Sequence, residues 1–381
     1  MTRLEVRVLS RMAEIPVEAW DRLVGDDDPF VEHAFLHALE ASGSVGPGTG
    51  WEPCHLAVSD DGVLVAALPL YAKTHSYGEF IFDFAWADAA RRMRSRYYPK
   101  LVSMVPLTPA TGRRFLVAPD RPRAPLVRAL LDGVARLVED SGASSAHLLF
   151  LDDVEIDETA ADPRYLRRAT HQYHFVNEGY ASFEDFLARF RSEARKQVKK
   201  ERRIVAESGL SVRVKTGEEL DGADWDAIRA FYLDTCARKG SPAYLDESFF
   251  DVARETLASR VVSVLAYDGG RPVAATLNFE KGKHLYGRYW GASDAYEMLH
   301  FELCYYRLIE RAIAKGMTRF EAGAQGEHKI KRGLLPRVVH SAHAVVHPIL
   351  RAAVEDYLLR EASATRRIVD ELSEHGPFRR A

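Results

Sequence analysis

The chain has 381 residues, 47% of them hydrophobic, and its 52 lysines and arginines nearly balance 55 aspartates and glutamates. That length can bury more than one core, and a net charge of −3 selects no partner, so electrostatic recognition has to be local. Three scattered cysteines exclude a disulfide scaffold, the charged N-terminal stretch excludes a signal peptide, and no run approaches the roughly 18 apolar residues of a membrane span, so a soluble, cytoplasmic protein is expected.

Residues 4–9 alternate as a short strand, and helical spacing follows at 17–24 and 31–41. A glycine-rich loop spans 42–50. Residues 55–59 and 63–71, split by Asp61-Gly62, read as a hairpin. Within it begins an internal echo: 65–78 (VAALPLYAKTHSYG) resembles 273–287 (VAATLNFEKGKHLYG) with one residue inserted. Each copy leads to a helix and then a strand, at 126–140 and 147–151 in the first half and at 299–315 and 319–322 in the second. The proline-rich stretch 83–120 reads as an insertion in the first copy. Two copies of one α/β unit follow from this order.

Between the copies, 169–176 (ATHQYHFV) reads as a strand. Ser182 and Asp185 cap a long helix with the apolar stripe Phe183, Leu187, Phe190, Ala194 and Val198. From Arg189 to Arg203 this helix carries eight basic residues against Glu193 and Glu201, and Gly209 ends it. The second copy continues with strand 211–215, helices 225–238 and 247–257, and a hairpin, 261–267 and 272–279, turned by Asp268-Gly269-Gly270. The expected domains are therefore 1–168, a linking strand and basic helix at 169–210, a second unit at 211–347, and a C-terminal helix at 348–381 that frays from Gly376-Pro377.

The stretch 283–334 carries the densest chemistry. Alternation in its first strand places His284, Tyr286, Arg288 and Trp290 on one face. Asp294 and Glu297 form a capping box that predicts a helix from about Ala295, with Leu299, Leu303, Tyr306, Ile309 and Ile313 as its core arc. Glu302 falls inside that arc, where an unpaired carboxylate is costly. A strand at 319–325 offers Arg319, Glu321 and Gln325 on one face. A polar loop then carries Glu327, His328, Lys329, Lys331 and Arg332.

The order strand, two helices, hairpin, strand, helix, strand matches the GNAT acyltransferase unit. The segments TPATGRRF (108–115), HQYHFVNEGYASFEDFL (171–187), EARKQVKKERR (193–203), LYGRYWG (285–291), LHFELCYY (299–306) and RFEAGAQGEHKIKRG (319–333) resemble the FemAB-like family of predicted N-acyltransferases. The resemblance implies an α/β fold of two tandem GNAT units, mixed central sheets flanked by helices, and transfer of an acyl or aminoacyl group to an amine. The relatives that build peptidoglycan cross-bridges take amino acids from aminoacyl-tRNA. An acetyl-CoA-dependent GNAT places a Gln/Arg-x-x-Gly-x-Gly/Ala loop before its central helix, and RYWGASDAYE (288–297) lacks it, which counts against CoA.

Acyl transfer to an amine needs a base and donors for the tetrahedral oxyanion. Glu302 is the first candidate base; its alternative reading is a core carboxylate paired with an arginine such as Arg307 or Arg319. His300 and His328 are the other candidate bases. Arg288, Lys329, Lys331 and Arg332 suit an anionic group, with Tyr286 beside them, and Glu321, Gln325 and Glu327 could orient the amine. Arg195, Lys196, Lys199 and Arg202 form a stripe suited to tRNA or another polyanion, expected to open toward Arg288 and Lys329. No covalently bound cofactor and no metal are expected, because His171 and His174 face opposite sides of a strand and no cysteine or carboxylate cluster completes a site. The donor, aminoacyl-tRNA or acyl-CoA, stays open. The rival readings are an acyl-CoA-dependent GNAT acting on a small amine and a nucleic-acid-binding module on an inactive acyltransferase scaffold.

Overall fold

The computed structural model describes residues 4–323 and 326–379. Fifteen strands are described: β1 (Leu4–Leu9), β2 (Trp51–Pro53), β3 (His55–Asp60), β4 (Val63–Leu68), β5 (Tyr71–Lys73), β6 (Lys100–Ser103), β7 (Leu116–Val117), β8 (Ser145–Leu151), β9 (Leu166–Val176), β10 (Ser211–Thr216), β11 (Val261–Asp268), β12 (Arg271–Lys281), β13 (His284–Ala292), β14 (Arg319–Glu321) and β15 (Leu335–Val345). The helices are α1 (Val17–Asp21), α2 (His33–Ala41), α3 (Phe84–Arg92), α4 (Arg123–Ser141), α5 (Asp153–Ala160), α6 (Phe183–Ala188), α7 (Ser192–Glu207), α8 (Gly222–Arg238), α9 (Ser248–Thr256), α10 (Leu299–Phe301), α11 (Arg307–Ala314) and α12 (Pro348–Glu374). They form two compact units, Met1–Thr170 with Val338–Arg367 and His171–Arg337 with Ile368–Ala381. The division is not consecutive: most of β15 and most of α12 return to the first unit, whereas linear boundaries were expected at 168, 210 and 347.

Both units repeat one series of strand orientations. In the second, β12 is antiparallel to β13, β13 parallel to β14, and β14 antiparallel to β9. In the first, β5 is antiparallel to β6, β6 parallel to β8, and β8 antiparallel to β15. The repeat corrects one reading of the echo. The tail 74–78 is a loop, and the counterpart of β13 is β6, which lies inside the stretch read as an insertion. Lys100 on β6 is fully buried, and its ammonium donates to Glu79 at 2.8 Å, to Ser76 at 3.0 Å and to Asp83. Burial of a charge on this scale requires such partners.

In the second unit the sheet order is β10-β11-β12-β13-β14-β9. Its core packs Tyr173, Phe175, Leu285 and Phe320 from the strands against Leu303, Ile309 and Ile313 from the helical stretch 299–314. The expected arc Leu299, Leu303, Tyr306, Ile309 and Ile313 is buried throughout. Three local expectations change. Met298 adopts a left-handed backbone (φ 57°), so the helix begins at Leu299, not Ala295, and Asp294 instead accepts a hydrogen bond from the Ala295 amide. Glu302–Tyr306 between α10 and α11 is π-helical, a widened turn that recurs at functional sites. The strand after Gly316 ends at Glu321.

The long basic helix is broken. Ser182 caps α6 through the Asp185 amide as expected, and Phe183, Leu187, Phe190 and Val198 are all buried. The chain leaves helical geometry at 189–191 because the C-terminal segment pairs there. Phe190 bridges Phe378, the Arg191 amide donates to Pro377 at 2.8 Å, and the Arg379 amide donates to Arg189 at 3.0 Å. Phe378 packs edge-on against Phe186 and Phe190. The segment from Gly376 is therefore anchored through Arg379, not frayed.

Candidate functional site

The site grows from the turn Glu327–Arg332. Two glycines bracket it, and each position excludes a side chain. A Cβ on Gly326 (φ 107°) would stand 2.4 Å from the His328 ring, and one on Gly333 (φ 84°) would meet Phe186 at 2.5 Å. Arg332 pins the turn to α7. It donates to both oxygens of buried Glu201, at 2.8 and 3.2 Å, and its guanidinium lies 3.3 Å from the Phe301 ring centroid. It also donates to the His328 carbonyl at 2.8 Å. Glu201 takes further hydrogen bonds from Gln197 at 2.9 Å and from the Tyr306 hydroxyl.

Beside this anchor lies a cleft of about 730 Å³. Gln197 and Glu201 line it from α7, Phe301 and Tyr306 from the helical stretch 299–314, and Glu327, His328 and Lys331 from the turn, with His375 from the C-terminal segment. His328 Nε2 and the Tyr305 hydroxyl are 2.9 Å apart. The His300 ring sits among Trp290, Tyr305 and His328, at centroid distances of 4.9, 5.3 and 6.0 Å. Burial pushes His300 down to about 4, helped by His328 wherever that ring is protonated and by the charges of Lys329 and Arg332. Burial, with Lys329 and Arg332 adding to it, also lowers His328. Both imidazoles are thus neutral at pH 7. Burial raises the Tyr305 phenol, which stays protonated. Lys329 is buried, its ammonium donates to the Gly323 carbonyl at 3.0 Å, and burial lowers its pKa to about 8. Such a constellation can accept a proton from an amine at one nitrogen and offer O–H and N–H donors nearby.

The expected site residues divide between two faces of the sheet. His300, His328, Glu327, Lys329, Lys331 and Arg332 gather on the side of the helical stretch 299–314. Glu321 turns to the opposite face, where it pairs with Arg319 at 3.1 Å and faces His174 at 3.9 Å. Tyr286 shares that face, 3.5 Å from Arg319, and Arg288 packs over Tyr289 at 5.1 Å. The expected alternation along β13 fails at a bulge. Leu277 pairs with Tyr289 and Asn278 with Gly287, so Arg288 is an extra residue, and Trp290 emerges on the His300 side. Gln325 lies outside the described residues.

Glu302 is buried to 3% exposure as its position demanded, but not as a base facing Arg288 or His328. Arg202 holds it at 3.1 Å and Arg307 at 2.8 Å, and both arginines also reach Glu310. It is a tie between α7 and the helical stretch 299–314, the paired-core reading. Arg202 is consequently taken from the polyanion stripe. Lys199 shares a second cavity with Arg202, away from Arg288 and Lys329, so the four basic residues form no single groove toward that pair. Arg195, Lys196, Lys199, Lys200 and Arg203 make no ion pair among the described residues. Among these residues no group of three or more His, Cys, Asp or Glu could hold a metal, and no helix is long and apolar enough to cross a membrane.

Sequence reasoning missed Glu201, Tyr305 and Phe301. Glu201 carried a readable signal: it continues the stripe Ala194, Val198 and Val205, the same intrusion of a carboxylate that singled out Glu302.

The repeated topology defines a fold of two tandem GNAT-like units. The family described as FemAB-like, peptidoglycan biosynthesis/recognition, matches residues 11–380, and the chain belongs to it. The crystal structure of FemX matches with a TM-score of 0.54 at 12% identity, covering 92% of this chain and 100% of that one. The C-terminal domain of a putative lysylphosphatidylglycerol synthetase from Agrobacterium fabrum matches at 0.57 and 11% identity, over 91% and 97% of the two chains. L-PGS from Bacillus licheniformis matches at 0.53 and 12%, over 88% and 98%. At these identities the likeness is one of fold. No curated protein matches by sequence. Family and fold together support an acyltransferase-type function.

Proposed function

We propose that the second unit transfers an acyl or aminoacyl group to a primary amine, with His328 as the base. The observation that carries this reading is the neutral His328–Tyr305 pair beside the 730 Å³ cleft, next to the carboxylate of Glu327 and the ammonium of Lys331. Glu327 attracts the acceptor's ammonium, and His328 removes one proton from it. The freed nitrogen lone pair attacks the donor carbonyl carbon, and Lys331 offers donors to the oxyanion that forms. Collapse re-forms the carbonyl and breaks the bond to the leaving oxygen or sulfur, which takes the proton from the imidazolium; the second proton on the attacking nitrogen then passes to the freed imidazole and on to solvent, leaving a neutral amide. Tyr305 fixes the imidazole orientation through its hydroxyl.

For the donor, Arg195, Lys196 and Lys200 of α7, which make no ion pair among the described residues, favour a polyanion, and an aminoacyl-tRNA joins that property to an activated ester. The test offers purified protein labelled aminoacyl-tRNA and labelled acetyl-CoA in separate reactions with a mixture of amine acceptors, using wild type and His328→Gln. Transfer of label from tRNA to an amine, lost in the variant, is the expected result. Transfer from acetyl-CoA alone assigns the donor to CoA. Binding of tRNA without any transfer makes the chain a nucleic-acid-binding module and overturns the reading.

A further inference from the structure

A second cavity, of about 480 Å³, lies along α7 and is lined by none of the residues that line the cleft. Its apolar lining is supplied by Leu187, Val205, Leu210 and Val212, which continue the core of the second unit to the surface. At its rim stand Lys199 and Arg203, one helical turn apart, both exposed and without an ion pair among the described residues. The other two basic groups of the cavity, Arg202 and Arg307, are neutralised by Glu302 and Glu310. Only Glu184 adds a further carboxylate to the lining, so the charge left for a ligand is positive and concentrated at the Lys199–Arg203 end.

We propose that this cavity binds an anionic amphiphile, an acidic head group carried on one unbranched alkyl chain. The chain would cover Leu187, Val205, Leu210 and Val212, and the head group would pair with Lys199 and Arg203. Each part has a reason that the other does not supply. Two free cations explain an anion, and the apolar lining explains a tail that a bare phosphate or a nucleic-acid backbone lacks. Glu184 repels a second negative charge and so favours a ligand charged at one end only. A free fatty acid and a single-chain phospholipid both present this chemistry.

The test is calorimetric titration of the full chain with decanoate, with lysophosphatidic acid and with inorganic phosphate. Saturable one-to-one binding of either amphiphile, at least tenfold tighter than phosphate, is expected, and the tighter of the two identifies the source. Ala206 lines the same cavity and is exposed, so Ala206→Trp fills it without removing a charge. That variant should lose amphiphile affinity at least tenfold, and so should the pair Lys199→Gln with Arg203→Gln. A photoreactive diazirine analogue of decanoate reads the same question on the unmutated chain: label should fall within 183–187 and 205–212. Phosphate binding as tightly as decanoate, unchanged affinity in Ala206→Trp, or label confined to other segments would each overturn the proposal.

Discussion

His328 and Glu302 show how one residue's neighbours decide its role. His328 meets Tyr305 and an open cleft; Glu302 meets two guanidinium groups. His328→Gln should lower turnover by about 10² to 10⁴, the usual contribution of a general base, with the thermal midpoint little changed. Because burial lowers the His328 pKa below 6.5, its neutral form persists into mildly acid solution. The acid limb of kcat/KM should therefore fall at a pH below 6.5, and a profile that falls above 6.5 would exclude His328. Glu302→Gln should instead cost stability. Arg202 and Arg307 stay 20% and 36% exposed, so the loss is about 1–3 kcal/mol, less than for a pair sealed from water, as read by denaturant unfolding. His300 adds a pH dependence of stability. Folding lowers its pKa from 6.5 to about 4, so the unfolded chain binds the proton more readily in that window. The stability it contributes is whole above 6.5 and is lost as pH falls toward about 4. From pH 7 to pH 4 the urea midpoint of the wild type should fall relative to that of His300→Phe, which lacks the titrating group.

At the scale of elements, periodicity found the helices and strands, and departures from periodicity made the site. Leu299, Leu303, Tyr306, Ile309 and Ile313 were legible as a core arc because each returns to one side of a helix. The bulge at Arg288 and the left-handed Met298 were not, since neither leaves a composition signal; both are set by how β12 and the core accept the chain. Gly291 marks the same bulged stretch. A Cβ there would stand 2.2 Å from the Phe231 carbonyl oxygen of α8, a backbone atom that cannot turn aside. Gly291→Ala should destabilise by about 1–3 kcal/mol, measurable as a drop in Tm. On α7, the capping and the apolar stripe were readable, but which cations remain free was not, because pairing partners such as Glu302 and Glu310 lie about a hundred residues away in sequence. If Lys196 and Lys200 contact a polyanion, changing both to Gln should reduce the slope of log affinity against log salt by about 1 for each lysine. Arg202→Gln should show no such specific loss, and should lower stability instead.

For the whole molecule, the internal echo announced two units but could not reveal their ownership of strands. The similarity in 65–78 and 273–287 is local, whereas the partners of β9 and β15 are fixed by sheet edges far away in sequence. The first unit contains Val338–Arg367 and the second contains Ile368–Ala381. During synthesis, then, neither unit has all its parts when the ribosome has finished the segment that looks like it. Strand β8 waits for β15 through nearly two hundred further residues, with an edge that another chain could pair with in the interval. A split between two genes at the midpoint of the echo would give each product one orphaned edge. The two halves would have to be made together to be made at all.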